Sequence, residues 1–306
     1  MTPSTRPLNA IPHDLAELIA ATQGQREADW QGRRVLLVHE DWGALAVSLH
    51  GGQVIHFAPR GQAPWLWLSS TPKQVPGAIR GGIPLCWPWF GDREDGQGPA
   101  HGTARSAQWR LDGCDEHNEG VEVHLSPVES LDPQLAPRVI IQANQQRLRV
   151  ELLTEHVGDT PVRFTQALHS YLAVAATHSS RVEGLAGATY VDKMRGFREF
   201  DQQGELAVRG PLDRIYHSSR PLTLVDSRSE GDHRLAIRKE GSDSSVVWHP
   251  GDEAPSDIPT AELYGFLCVE AACTHLDPIW LAPGSQHLLA QELSLDEADP
   301  TASIPH

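Results

Sequence analysis

Long apolar runs are missing from this chain. No stretch of its 306 residues approaches the roughly 20 apolar positions that a membrane-spanning helix requires. The opening MTPSTRPLNAIPHDLAELIAAT lacks the basic-then-apolar pattern of a secretory leader. Both absences lead us to expect a soluble, cytoplasmic protein without a membrane partner. Positive charge is scarce as well: 25 Lys plus Arg stand against 40 Asp plus Glu, a formal net charge of −15. A surface of that sign repels nucleic acid and anionic lipid. Cysteine is sparse, and Cys86, Cys114, Cys268 and Cys273 form no CxxC and no tight framework, so they read as free thiols in a reducing compartment. HExxH and paired Cys or His spacings are lacking, which leaves no expected metal site. There is no Walker loop, the pair Gly81-Gly82 makes no dinucleotide fingerprint, and Ser179 and Ser180 lie in no GxSxG elbow. No cofactor is expected.

Helical periodicity is confined mainly to HDLAELIAAT, where Leu15, Leu18 and Ile19 share a face. Beyond it the period is two. In GVEVHLS, Val121, Val123 and Leu125 alternate with polar neighbours, and in RLRVELLTEHV so do Leu148, Val150 and Leu152. RVLLVHE, ALAVSLH, QVIHFAP, AQWRL, RVIIQAN, PLTLVD, RLAIRKE, SSVVWHP and HLLAQEL add further short strands, separated by Gly, Pro, Asn and Asp clusters. Many short strands with almost no helix predict an all-β sandwich or barrel. Length alone suggests about two domains. With no interdomain linker and no internal repeat, the chain reads instead as an N-terminal extension with a short helix (1–32), a single β domain (33–293) and a polar, frayed tail (294–306).

The segment IRGGIPLCWPWFG, residues 79–91, carries one charge, Arg80, among two glycines, two prolines and three aromatics. Pro84 and Pro88 exclude a helix interior or a central strand, and a plain buried connector is one reading of it. In VRFTQALHSYL, written as one strand, Arg163, Thr165, Ala167, His169 and Tyr171 share a face, although a lone strand histidine is more often structural than catalytic. In LYGFLCVEAAC, Tyr264, Phe266, Cys268 and Glu270 share a face of a strand apolar on both sides. A carboxylate there needs a partner, such as a buried Arg, or a purpose. AHGTARSAQWRL sets His101 and Arg105 in a glycine-containing turn, and GPLDRIYH starts a strand with Asp213. Nine tryptophans are many for this length, and Trp stacks on sugar rings as well as filling cores.

Taken in order, IRGGIPLCWPWFG, HGTAR, LHSYL, GLAGATYVDKM, LDRIY, VVWHPG and YGFLCVEAA…LAPG resemble the hexose-6-phosphate mutarotases, the glucose-6-phosphate 1-epimerases of the aldose 1-epimerase superfamily. The resemblance runs from about Arg33 to about Leu289. It implies a galactose-mutarotase-like fold, a large twisted β-sandwich with a concave sugar site. It implies cofactor-independent interconversion of the α and β anomers of a hexose 6-phosphate, a small-molecule substrate handled by a monomer. Residue by residue, it implies that His169 and Glu270 are the catalytic pair. Arg80 and Arg105 would bind substrate, Asp213 would hold the sugar and His101 would stand in the pocket. Two positions depart from the family pattern: Ala100 replaces a usual Gln and Thr103 a usual Phe, which bears on the detailed sugar contacts.

Mutarotation opens the pyranose ring, turns C1 and recloses it. The expectation is Glu270 as base to the C1 hydroxyl and protonated His169 as acid to the ring oxygen. Arg80 and Arg105 would take the 6-phosphate, with Trp87, Trp89 and Phe90 walling the pocket. Two alternatives stand beside this reading: an aldose 1-epimerase for unphosphorylated sugar, and a non-catalytic carbohydrate-binding or regulatory protein on the same fold.

Overall fold

Antiparallel strands dominate the computed structural model, which describes residues 11–117 and 119–296. A nine-stranded sheet runs in the order Leu206–Ala207, Ser180–Glu183, Leu222–Arg228, Gly231–Glu240, Gln286–Leu295, Arg147–His156, Leu135–Asn144, Gly120–Pro127 and Trp109–His117. An eight-stranded sheet runs Arg198–Asp201, Thr189–Asp192, Leu212–His217, Ser244–His249, Phe266–Cys273, Gln166–Leu168 and Leu85–Cys86, with Tyr171–Ala173 also pairing with Phe266–Cys273. One hydrophobic core joins the two sheets. Val121, Val123, Leu125, Leu148, Val150 and Leu152 reach it from the first, and Leu168, Val247, Leu267 and Val269 from the second. The alternation read in the sequence is thus the alternation of core and outer faces. The β-sandwich expected from the strand pattern is the architecture found.

A four-stranded sheet, Gly24–Trp30, Arg33–Glu40, Gly43–Ser48 and Gln53–Pro59, packs at one end. Its first strand, GQREADW, is too polar to read as a strand, yet it pairs with its neighbour from Gly24↔His39 to Trp30↔Arg33. The helix is His13–Ala20. It lays Leu15 and Ile19 on Trp30, Val35 and Leu37 of this sheet, with Leu18 half-buried beside them. Each such burial contributes about 1.5–3 kcal/mol. Ser294 and Leu295 belong to the last strand, and residues 297–306 of the expected tail lie outside the described residues. Among the described residues, no helix is long and apolar enough to cross a membrane.

Candidate active site

Every residue of the strand Phe266–Cys273 is buried. Leu267, Val269, Ala271 and Cys273 enter the core between the sheets. Phe266 and Cys268 face the opposite way, onto Trp67, Tyr171 and Trp248, and Ala272 meets Cys86 and Ala167 on that side. Glu270 falls between Cys268 and Ala272 in this phase and is 2% exposed. The two-sided burial matches the sequence reading except at Tyr264. That residue precedes the strand, is exposed and bonds Asp252, so it does not shield Glu270.

The stretch read as one strand around His169 is three short ones, Val162–Phe164, Gln166–Leu168 and Tyr171–Ala173. The main chain leaves the ladder at His169-Ser170 because its partner there is irregular. The His169 N–H donates to Pro84 O at 3.0 Å and the Tyr171 N–H to Gly82 O at 2.9 Å. Alternation survives the break. Leu168 stays in the core, and the Ser170 hydroxyl donates to Gln291 of the facing sheet. His169 stacks flat on Tyr171 (centroids 4.8 Å, 9°) and meets Trp248 edge-on at 5.9 Å.

His169 Nδ1 stands 3.4 Å from Glu270 Oε1. Neither that nitrogen nor Glu270 Oε2 has a hydrogen-bond partner, although both are buried. Leaving such a group unsatisfied costs about 1–3 kcal/mol, so the pair is set for a ligand rather than for stability. No arginine pairs with Glu270 among the described residues, which removes the buried Glu–Arg alternative. Burial raises the Glu270 carboxyl well above its ordinary range; Asp213 pushes it further up and Lys193 pulls it back. Burial also holds the His169 imidazole well below its usual range, helped by His101, Arg105 and Arg80. Burial thus disfavours charge on either group, raising the carboxyl and lowering the imidazole. The surroundings work against the protonated His169 of the expected mechanism, because a desolvated imidazolium among guanidinium groups is unfavourable.

The 79–91 segment forms the irregular edge beside His169, with Leu85–Cys86 pairing to Ala167 and Leu168. Gly82 (φ +66°) is required there, since a Cβ would lie 2.1 Å from Val54 O. Arg80 is half-buried, as a substrate contact could be, but it is not free. Its Nε lies 3.2 Å from both Asp257 carboxylate oxygens, and its Nη1 lies 3.2 Å from the Tyr171 hydroxyl. Asp257 is buried and has Lys73 Nζ at 3.8 Å. The loop alone does not hold Arg80; a distant carboxylate does. The aromatic wall also differs. Trp87 is fully buried in the inter-sheet core and donates to Thr154 Oγ1 at 3.0 Å. Trp89 donates to Pro99 O at 3.0 Å beside Arg93. Only Phe90 of the three reaches the site, packing on His101 at 5.1 Å. Tyr171 and Trp248 supply the wall at His169.

His101, at φ +65°, accepts the Gly91 N–H on Nδ1 (3.3 Å) and lies 5.6 Å from the His169 ring. Burial, then Arg105, Lys193 and Arg80, lowers it to about 3, so it is neutral. Arg105 donates to Ala100 O at 2.6 Å and has no carboxylate partner among the described residues. At this departure from the family pattern the main chain of Ala100, not its side chain, makes the contact; the Thr103 hydroxyl is buried without a partner. Asp213, in the strand Leu212–His217, meets Lys193 Nζ at 2.8 Å. The structure thus brings all six expected residues together around His169, with Arg80 already paired. Sequence reasoning missed Lys193, Asp257, Tyr171 and Trp248. Tyr171 was legible in the strand phase, and Lys193 sits inside the quoted GLAGATYVDKM. Nothing local marks Asp257. A cleft of about 440 Å³ adjoins the site through Phe90, lined also by Trp89, Arg163 and His275.

Comparison with known proteins gives the family and the fold. Residues 33–294 match the aldose 1-epimerase family. A protein of Cenchrus ciliaris named "Putative glucose-6-phosphate 1-epimerase" is 31% identical over 300 residues, covering 90% of this chain and 86% of that protein. One of the same name from Escherichia coli K12 is 29% identical over 233 residues, covering 74% and 78%. A crystal structure from Salmonella typhimurium titled "a putative mutarotase (YeaD)" superposes with a TM-score of 0.82 at 24% identity, over 93% of this chain and all (100%) of that one. A galactose mutarotase-like protein from Clostridium acetobutylicum gives 0.69 at 12% identity, over 89% and 98%. These two structural likenesses establish the fold. With the family match over most of its length, the chain belongs to the aldose 1-epimerase family of sugar epimerases.

Proposed function

We propose that this protein interconverts the α and β anomers of a hexose 6-phosphate, glucose 6-phosphate foremost, without a cofactor. The observation that carries the reading is the buried, otherwise unpartnered His169–Glu270 pair, with Arg105 close enough to press on the imidazole yet lacking a carboxylate of its own. The names of the two curated relatives point to the same substrate.

The reaction takes one proton from the C1 hydroxyl and gives one to the ring oxygen, so the pair's proton count is unchanged. At 3.4 Å the two side chains stand close enough to pass one proton between them. Burial favours that proton on the Glu270 carboxyl over the His169 imidazole. A phosphate dianion at Arg105 offsets the positive field on His169, and the proton moves to the imidazole. Glu270 is then the carboxylate base at O1 and His169 the acid at the ring oxygen, and the roles reverse on reclosure. Asp213 accepts from sugar hydroxyls and fixes the ring between them. Trp248 and Tyr171 exclude water from the transfer.

The commitment of Arg80 to Asp257 and Tyr171 favours a second reading, an epimerase for unphosphorylated aldoses. Saturation-transfer NMR on glucose 6-phosphate and glucose, at equal concentration, separates the two. Faster anomer exchange for the phosphate than for glucose supports the proposal; equal rates support the second reading. No exchange on any aldose leaves only a carbohydrate-binding role.

A further inference from the structure

Lys193 was not singled out by any sequence motif argument, yet it is a cation inside the sugar site. It opens the short 3₁₀ turn Lys193–Arg195 after the strand Thr189–Asp192. The turn is closed by left-handed Gly196 (φ +69°) and Phe197 (φ +59°) and anchored by the Phe197 N–H on Asp192 O at 3.0 Å. Asp192 itself stands 3.4 Å from Arg214 Nε and 3.8 Å from Arg195 Nε. The ammonium is therefore presented from a fixed support. It lies 2.8 Å from Asp213 Oδ2, and both side chains are mostly buried, at 30% and 20% exposure. Among the described residues, Lys193 is the one polar side-chain partner of Asp213.

We propose that Lys193 is a positioning residue of the sugar site: its ammonium, 2.8 Å from Asp213 Oδ2, aims that carboxylate as an acceptor for sugar hydroxyls. The charges around these groups come from several elements. Asp213 faces Lys193, with Asp192 on the adjoining strand and Glu270 across the sheet. Glu270 faces His169, Asp213 and Lys193, with Cys268 two positions away on its own strand and Tyr171 on the next. His169 is pressed by His101, Arg105 and Arg80. Burial raises the Asp213 carboxyl, and Lys193 is the group that draws it back down against Asp192. Without the ammonium, Asp213 would take up a proton nearer neutrality and would then offer a hydroxyl donor where the sugar requires an acceptor.

This inference rests on the epimerase reading, and its test separates the two. Lys193→Met and Lys193→Arg would be compared with wild type by anomer exchange from pH 4.5 to 9. The Asp213 carboxyl would be titrated by ¹³C NMR in the same proteins. Removal of an opposite charge at this range moves a carboxyl up by about one to three units. Lys193→Met should therefore move the acid limb of kcat/KM and the Asp213 titration upward together, for phosphorylated and free sugar alike, and Lys193→Arg should restore both. An Asp213 titration unmoved in Lys193→Met overturns the proposal. So does a rise in KM for glucose 6-phosphate without one for glucose, which would make Lys193 a phosphate contact. A wild-type protein with no epimerase activity would remove the epimerase reading, while the Asp213 titration still decides the role of Lys193.

Discussion

A carboxylate that is 2% exposed, with one oxygen unbonded, is held against its own solvation. The consequence for stability has a definite sign. Folding raises the pKa of Glu270, chiefly by burial, so the folded chain holds a proton on this carboxyl at pH values where the unfolded chain has released it. Its contribution is favourable below the ordinary carboxyl range and is lost as pH rises through that range and above. Glu270→Gln should then melt at an equal or higher temperature than wild type at pH 7–8, with the difference closing near pH 4. Anomer exchange should fall at least about 10²-fold, as expected for loss of a general base. A variant that melts earlier but turns over normally would make Glu270 structural. The two arginines should behave differently. Arg105→Ala should raise KM for glucose 6-phosphate about tenfold to a hundredfold, the worth of a charge-assisted contact, and leave melting unchanged. Arg80→Ala leaves Asp257 buried without its main partner and should also destabilise by about 3 kcal/mol. Denaturant midpoints beside KM values check the distinction.

Two elements carry the His169–Glu270 pair, and one side chain ties them. The strand Phe266–Cys273 supplies Glu270, and the break after Gln166–Leu168 supplies His169. Gln291, buried in the strand Gln286–Leu295 of the facing sheet, accepts from the Ser170 hydroxyl and donates to Val269 O at 2.9 Å. One amide thus holds the residue after His169 and the residue before Glu270. Gln291→Leu should keep the fold and KM while lowering kcat about tenfold, because small misplacement of reacting groups is costly. If kcat and melting temperature both stay at wild-type values, the tie has no catalytic role. Alternation puts Gln291 in phase with the core residues Leu289 and Leu293, but nothing local shows that its amide meets Ser170 and Val269 of the facing sheet.

The molecule as a whole carries several histidines buried in the neutral form. Burial lowers His56 to about 4 and His101 to about 3, and it depresses His169 as well. A histidine lowered on folding gives stability that is complete above about pH 6.5 and is lost as pH falls toward its folded value. For His56 the difference amounts to about 3 kcal/mol. The protein should therefore lose stability steeply between pH 6.5 and pH 4, and His56→Leu should flatten that slope. Urea midpoints at half-unit pH steps measure it, and an unchanged slope in the variant would assign acid unfolding to other groups.

What the sequence determined by itself is what period and residue type encode. Alternation marked the strands: the inward faces of GVEVHLS and RLRVELLTEHV are the ones found in the core, and the strand within LYGFLCVEAAC is buried on both sides as read. The same alternation carried His169 and Tyr171 to one side even across a break in the strand. Pro84 and Pro88 announced an irregular edge, and the scarcity of Lys and Arg made any arginine cluster conspicuous. What only the tertiary structure decided is which groups meet from far along the chain. Trp87 could wall a pocket or fill a core until the facing sheet supplied Thr154. Arg80 could wait for a phosphate or already hold a carboxylate until the 251–262 loop brought Asp257 across 177 residues. The proton on His169 was likewise undecided, because acidity follows burial and the charges that converge on a site, and neither is a property of a residue's neighbours in sequence.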